Sequence, residues 1–511
     1  MAPRRFVLAL AILGLGAGVA TMLLWRGGCF DTPTIDPLRD HPENTQLDGR
    51  VTDQLGPVPG ARIRVKGQSA SVDSDAQGRF RLVGTDTTGR ITAWKNGYFI
   101  GGLDLAASPL EFTLKKLPAE DCTRYSWVDP APIAQDVHAC GKCHDEIYRE
   151  WSVSAHARSA SGRHFRNLYD GTDWNGKAEV GWSLKSQYPR GAGVCASCHA
   201  PTAEVAADLN QIDGVAKFGV HCDYCHKISG VGEGPIGRTH GRFNLDLLRP
   251  AEGQLFFGPL DDVDRGEDAF SPLYKESKYC ASCHEGTVFG VHVYSTYSEW
   301  LVSPAKEEGK QCQTCHMKPT GTMTNMAPNK GGIERDPKTL ANHRLFAGSQ
   351  EEMLRQCVKL SARLERDADG VKTMIEVGAE NVGHRVPTGF IDRHLILVVE
   401  ALDSNGKSMP LGDGPSLPGA VGKLLAGKPG KLYAKLLNDE DGHSPAPFWL
   451  ADPEPVDTRL TEGKPDSSTF RFAKETRRIR VRVIYRRFWR EVAEVKQWPD
   501  DEIVIVEKIL E

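Results

Sequence analysis

Five copies of one short pattern, Cys-x-x-Cys-His, constrain this chain more than any other feature: Cys140 to His144, Cys195 to His199, Cys222 to His226, Cys280 to His284 and Cys312 to His316. Together they use ten of the thirteen cysteines. Two thiols three positions apart form thioethers to the two vinyl groups of one haem, and the imidazole of the next residue ligates its iron. Zinc-binding or redox-active Cys-x-x-Cys pairs leave the following residue unconstrained, whereas here it is histidine every time. With 16 histidines in 511 residues, five such coincidences arise by chance on the order of one time in ten million or less. The motifs therefore predict five covalent haem c groups. Cys140, Cys143, Cys195, Cys198, Cys222, Cys225, Cys280, Cys283, Cys312 and Cys315 attach them, and His144, His199, His226, His284 and His316 are the proximal ligands.

At 511 residues the chain is too long for one core, and about three domains are expected. A net charge of -4, with no long basic run, excludes a general attraction to nucleic acid. Arg4 and Arg5 precede an apolar stretch from Phe6 to Trp25, followed by Arg26. That length suits a bilayer-spanning helix, so residues 1–28 are expected to be a membrane anchor with the N-terminus inside. A cleaved signal peptide is the rival reading, with Gly18 and Ala20 as small residues before the cut. Either way the remainder faces the periplasm, where haem of this type is attached.

Beyond a Pro-containing linker, residues 45–116 read as a small seven-stranded β-sandwich. Ala61, Ile63 and Val65 alternate with Arg62, Arg64 and Lys66, the period-two pattern of a strand with one buried face. Asp75–Gly78 and Asn96-Gly97 offer tight turns. The stretches SDAQGRFRL and AWKNGY resemble the carboxypeptidase regulatory-like, transthyretin-type sandwich, which implies a non-catalytic spacer or contact module. Residues 120–366 hold the motifs, with frequent Gly and Pro and little apolar periodicity, and are expected to form a mainly α or irregular multihaem domain whose porphyrins replace a conventional core. Ser349 and Glu352 form a capping box ahead of Met353, Leu354, Cys357, Leu360 and Leu364, which predicts a closing helix. Residues 371–511 return to strand character at His394–Leu402 and around Ile479 to Tyr485, predicting a second β-sandwich. Arg478, Arg480 and Arg482 fall on its solvated face.

Gaps of 22 residues between motifs two and three and 27 between motifs four and five, against 50 and 53 elsewhere, predict two close haem pairs. Each iron needs a second axial ligand to be a low-spin carrier, and an open position implies substrate binding instead. The run CGKCHDEIYREWSVSAHARSASGRHF resembles the cytochrome c-554-like multihaem family, and the resemblance implies that His156, after Trp151 and Ser154, ligates a neighbouring haem. NHRLFAG and GHRVPTG, similar to segments of such cytochromes, put forward His343 and His384. His240 is a further candidate, and His164, His138 and His292 compete for the last position; His221 is too close to Cys222 to bend back onto its own haem, and His41 and His443 read as solvated. If His384 ligates, the C-terminal sandwich contributes a haem ligand. Trp151, Trp300, Tyr294 and Tyr297 are expected to pack on porphyrins. Arg344 and Arg385 are candidates for pairing with propionates. Cys122 and Cys357 either form a disulfide closing the haem region or remain two buried thiols.

These features predict a membrane-anchored electron carrier exchanging electrons with redox partner proteins in or near the membrane. The alternative is a multihaem oxidoreductase of the nitrite or hydroxylamine class, acting on a small nitrogen compound at one five-coordinate haem.

Overall fold

The computed structural model describes residues 46–511 apart from 84–88, 108, 134, 136, 189–194, 204–207, 347–350 and 501. Residues 46–113 form eight strands in two four-stranded sheets. In the first, Gln46–Asp53 pairs with Gly56–Pro57, with Arg79–Val83 and, in parallel, with Leu110–Thr113. The second runs Val72–Asp73, Arg62–Val65, Arg90–Trp94, Gly101–Asp104. Alternation puts Val51, Ile63, Val65, Phe80, Ile91 and Phe112 into the core between the sheets.

The opposite face of Arg62–Val65 is partly covered, at Arg64 rather than at Arg62. Arg64 pairs with Asp261 and Asp262, Lys66 reaches Asp264 at 2.7 Å, and Arg90 reaches the same carboxylate at 2.6 Å. Beside this ionic seam Phe99 packs on Leu255 and Phe257, and Trp94 meets Phe270 edge-on at 4.6 Å. The small sandwich is thus fastened to the haem-motif region.

The C-terminal sheets are ordered Val358–Asp367, Gly370–Ala379, Asp466–Phe472, Leu411–Asp413, and Gly430–Tyr433, His394–Leu402, Arg478–Arg486, Ile503–Leu510. Strand His394–Leu402 is buried on both faces. Leu395, Leu397 and Val399 enter the core shared by the two sheets, while Ile396 and Val398 pack with Leu168, Tyr169 and Leu184 of the haem-motif region. Across the exposed face, Arg478, Arg480 and Arg482 pair with Glu511, Glu507 and Glu400.

Several expectations are corrected. Among the described residues no helix is long and apolar enough to cross a membrane, and the anchor expected at residues 1–28 lies outside them. The haem-motif region is not mainly α. Its longest helices, Asp145–Ser152 and Arg163–Asp170, have eight residues each. They alternate with two-stranded ladders such as Glu285–Val288 with Val291–Ser295, because each motif breaks the chain into a short turn of helix. The expected closing helix extends only from Glu351 to Cys357, and Val358–Asp367 is a strand. Ser349 lies outside the described residues. Leu360 and Leu364, four apart, satisfy a helix and a strand equally, and pairing with Gly370–Ala379 decides the matter. Cys122 and Cys357 are both free thiols.

Candidate haem sites

Each motif forms a short turn of helix, which brings its two thiols and its histidine to one side: Cys140–Lys142, Ala196–His199, Cys222–Cys225, Lys278–His284 and Cys312–His316. Four of the motif histidines are oriented in the same way. The Nδ1 of His144 lies 2.9 Å from the Met326 carbonyl, that of His199 2.9 Å from Ser159, that of His226 2.6 Å from Phe257 and that of His316 2.5 Å from Phe346. A ring donating Nδ1–H to a carbonyl presents a basic Nε2, the tautomer a metal needs.

The cysteines of motifs one to four line one cavity of about 1310 Å³, together with His144, His199, His226 and His284. Neighbouring motifs touch through their thiols: Cys140 with Cys222, Cys198 with Cys283, and Cys280 with Cys312. Motifs four and five are adjacent, as their short gap predicts. Motif three lies against motif one through Cys222 and Cys140, and His221, just before motif three, meets Thr202, just after motif two, at 3.4 Å.

Two histidine pairs carry the most information. The rings of His156 and His284 have centroids 6.0 Å apart, and those of His316 and His384 lie 6.2 Å apart. A metal–imidazole bond of about 2 Å, with roughly 1 Å more from nitrogen to ring centre on each side, puts trans imidazoles about 6 Å apart. Each pair has room for one iron. His156 would therefore serve the haem of motif four and His384 that of motif five. His343 lies close to His226 and His144, and its amide is held by Glu150 Oε2 at 2.8 Å.

Electrostatics favour ligation. Burial pushes His156, His343 and His384 down to about 4, and burial together with His156 and His316 pushes His284 to about 3. These imidazoles are neutral at physiological pH, as metal ligation requires. The Nδ1 atom of His156 is buried without a hydrogen-bond partner. Among the described residues no group of three or more His, Cys, Asp or Glu side chains is placed to hold a bare metal ion, which separates this donor set from a zinc site. The residues present fit haem c.

Other candidates are placed differently. His240 engages the Thr287 carbonyl through Nε2 at 3.0 Å, the reverse of the motif histidines. His164 lines the cavity but sits among Trp174, Phe488 and Trp498, with ring centroids 4.9 to 5.3 Å away. His292 pairs with Glu285 at 2.5 Å. Both ring nitrogens of buried His221 are engaged, by Thr202 Oγ1 and the Tyr224 amide. His138 lines the cavity, His443 pairs with Asp439, and His41 lies outside the described residues. Trp151 and Tyr294 line the cavity, whereas Tyr297 and Trp300 stack on each other at 5.5 Å. Arg385 pairs with Asp457 at 2.7 Å. Sequence reasoning missed the cavity wall supplied by the C-terminal sheets' loops, including Phe390, Arg393, Phe448, Trp449 and Phe488; no motif marks these residues.

Residues 139–227 match the family described as cytochrome c554 and c-prime. No curated protein matches the chain. Among solved structures, a penta-heme cytochrome c552 from Thermochromatium tepidum is similar at 23% identity and a TM-score of 0.54, over 73% of this chain and 97% of that one. At that identity the likeness is one of fold.

Proposed function

We propose that this chain, whose motifs, matched segment and fold support a multihaem c-type cytochrome, carries electrons on the extracytoplasmic side through five haem c groups, each attached at one motif. The haems supply one-electron chemistry; the protein sets their spacing, ligation and exposure. The observation that carries the reading is the spacing of two imidazole pairs, His156 with His284 and His316 with His384, each of which could hold one iron between its rings. Where two imidazoles would hold one iron, as at motifs four and five, electron transfer is favoured over substrate binding. Thiol contacts linking motif one to three, two to four and four to five would bring the haems attached at those motifs close to one another. The donor and the acceptor would be redox proteins on that side of the membrane.

The test is haem quantification of the purified holoprotein, joined to low-temperature electron paramagnetic resonance of its ferric form. Five haems per chain, with low-spin signals from the haems of motifs four and five, is the expected result. Fewer than five attached haems would refute the count. A stoichiometric high-spin signal would bring forward the second reading, reduction of a small nitrogen compound at an open iron.

A further inference from the structure

We infer that Glu299 is a positioning residue for haem five: a single buried carboxylate, 85 residues before His384 in the chain, holds the loop that presents that histidine. The inference rests on the reading that His384 and His316 ligate one iron.

Glu299 lies in helix Thr296–Leu301 of the haem-motif region, and His384 belongs to a loop between strands of the C-terminal sheets. Both carboxylate oxygens of Glu299 are engaged. Oε1 accepts from Ser295 Oγ and Arg459 Nη2, each at 2.6 Å. Oε2 accepts from the Arg385 amide at 3.2 Å and from Thr388 Oγ1 at 3.0 Å. The Arg385 carbonyl in turn lies 3.0 Å from His384 Nδ1 and fixes the ring's orientation. One residue thus links the carboxylate to the imidazole, its amide on Glu299 and its carbonyl on His384.

The rest of the network braces the same loop. Arg459 donates to the Pro387 carbonyl at 3.2 Å and to Asp457, which also binds the Arg385 guanidinium. Val386 and Leu460 exchange backbone hydrogen bonds at 2.9 and 3.0 Å. A Cβ on Gly383 would stand 3.2 Å from Trp300, the neighbour of Glu299, so the loop also packs tightly on the helix itself. The side chains of Glu299 and Arg459 are 10% and 5% exposed, so this pair is little screened by solvent, and removing one partner leaves the other uncompensated. Hydrogen bonds to a ligand's outer nitrogen tune both its orientation and its basicity toward the metal.

The experiment compares Glu299→Gln, Glu299→Ala and His384→Ala with wild type in the full-length holoprotein, by electron paramagnetic resonance and spectroelectrochemical titration. Glutamine keeps the shape but turns one acceptor into a donor facing the N–H groups of Arg385 or Arg459. The expected result is a high-spin signal of up to one haem in five in the Glu299 variants, returned to low-spin by added imidazole, with a displaced potential for that haem alone. His384→Ala should give the full one-in-five signal. Should His384→Ala keep the wild-type spectrum, the pairing itself is wrong. Should His384→Ala change it while both Glu299 variants keep wild-type spectra and potentials, the positioning role is wrong. If the Glu299 variants fail to accumulate, Arg459→Gln and Thr388→Val approach the same carboxylate from its partners and face the same two outcomes.

Discussion

Asp262→Asn should loosen the N-terminal sandwich from the haem-motif region without unfolding either. The Asp262 side chain is fully buried. Its oxygens accept from Arg335 at 2.8 and 3.1 Å and from the Gly67 amide at 2.8 Å, and Arg64 stands 3.5 Å away. In the docked state an uncharged amide would face two guanidinium groups, whereas undocking returns Arg64 to water. Removing one member of a buried pair costs about 3–5 kcal/mol. Arg64 keeps Asp261 as a second partner, so the lower end applies, and about 3 kcal/mol is roughly a hundredfold in the undocking equilibrium. The assay is native-state hydrogen exchange. The Ile100 amide bonds to the Asp268 carbonyl across the interface at 2.9 Å, and the Val51 amide bonds to Gly78 inside the sandwich at 2.7 Å. Protection of Ile100 should fall about a hundredfold while that of Val51 holds. Adding Arg335→Met should recover much of the loss, because it removes the stranded charge. Unchanged Ile100 protection, or an equal fall at both amides, would refute the reasoning.

Replacing His156 by alanine should convert one haem in five to a high-spin form that exogenous imidazole restores; an unchanged resonance spectrum would deny it the sixth position on the haem of motif four. Asp392→Asn should alter the pH dependence of stability. Burial raises the Asp392 carboxyl to about 7 despite a hydrogen bond from Trp489, so the folded state holds this proton more tightly than the unfolded state. The resulting stabilisation is complete below about pH 4 and is lost as pH rises through about 7, on the order of 4 kcal/mol in total. Urea unfolding of wild type and variant, followed by circular dichroism, should therefore show the variant gaining relative stability from pH 4 to 7. A flat difference would falsify the assignment.

What could be read from the sequence was local. A Cys-x-x-Cys-His motif contains its own chemistry, so motif residues could be named, and four of the five motifs meet at one cavity. Strand His394–Leu402 was equally readable, since a run of β-branched and aliphatic residues buried on both faces leaves little alternative. Pairings were not readable. His156 and His284 are 128 residues apart and meet only through the tertiary fold. Gap lengths could not reveal that Cys222 meets Cys140 rather than a nearer motif. The polar face of Arg62–Val65 looked solvated because period two distinguishes the two faces of a strand and says nothing of what covers the outer one. Its partners, Asp261, Asp262 and Asp264, lie about 200 residues further along.

The arrangement explains why a weakly periodic middle segment is flanked by two strongly periodic ones. The sandwiches have cores of their own, around Val51, Ile63 and Phe112 in one and Leu397, Val399 and Val481 in the other. The middle shares its largest core with the C-terminal sheets, Leu168, Tyr169, Leu184 and Ala196 packing with Ile396 and Val398, and around its motifs lies an open cavity. A chain lacking its cofactors would have to keep about 1310 Å³ open. The apolar side chains that line it, among them Phe165, Leu168, Phe257 and Leu340, would then lack packing partners on the cavity side. Porphyrins attached at the motifs would fill that space, as aliphatic side chains fill the cores of the flanks. The sandwiches then serve as rigid frames. One is locked on by the acidic run Asp261 to Asp264, and the other closes the cavity with Phe390, Phe448 and Phe488 and presents His384 through the Glu299 network. Haems attached at the motifs would thus be held between two independently cored frames and would not depend on short helices and loops alone.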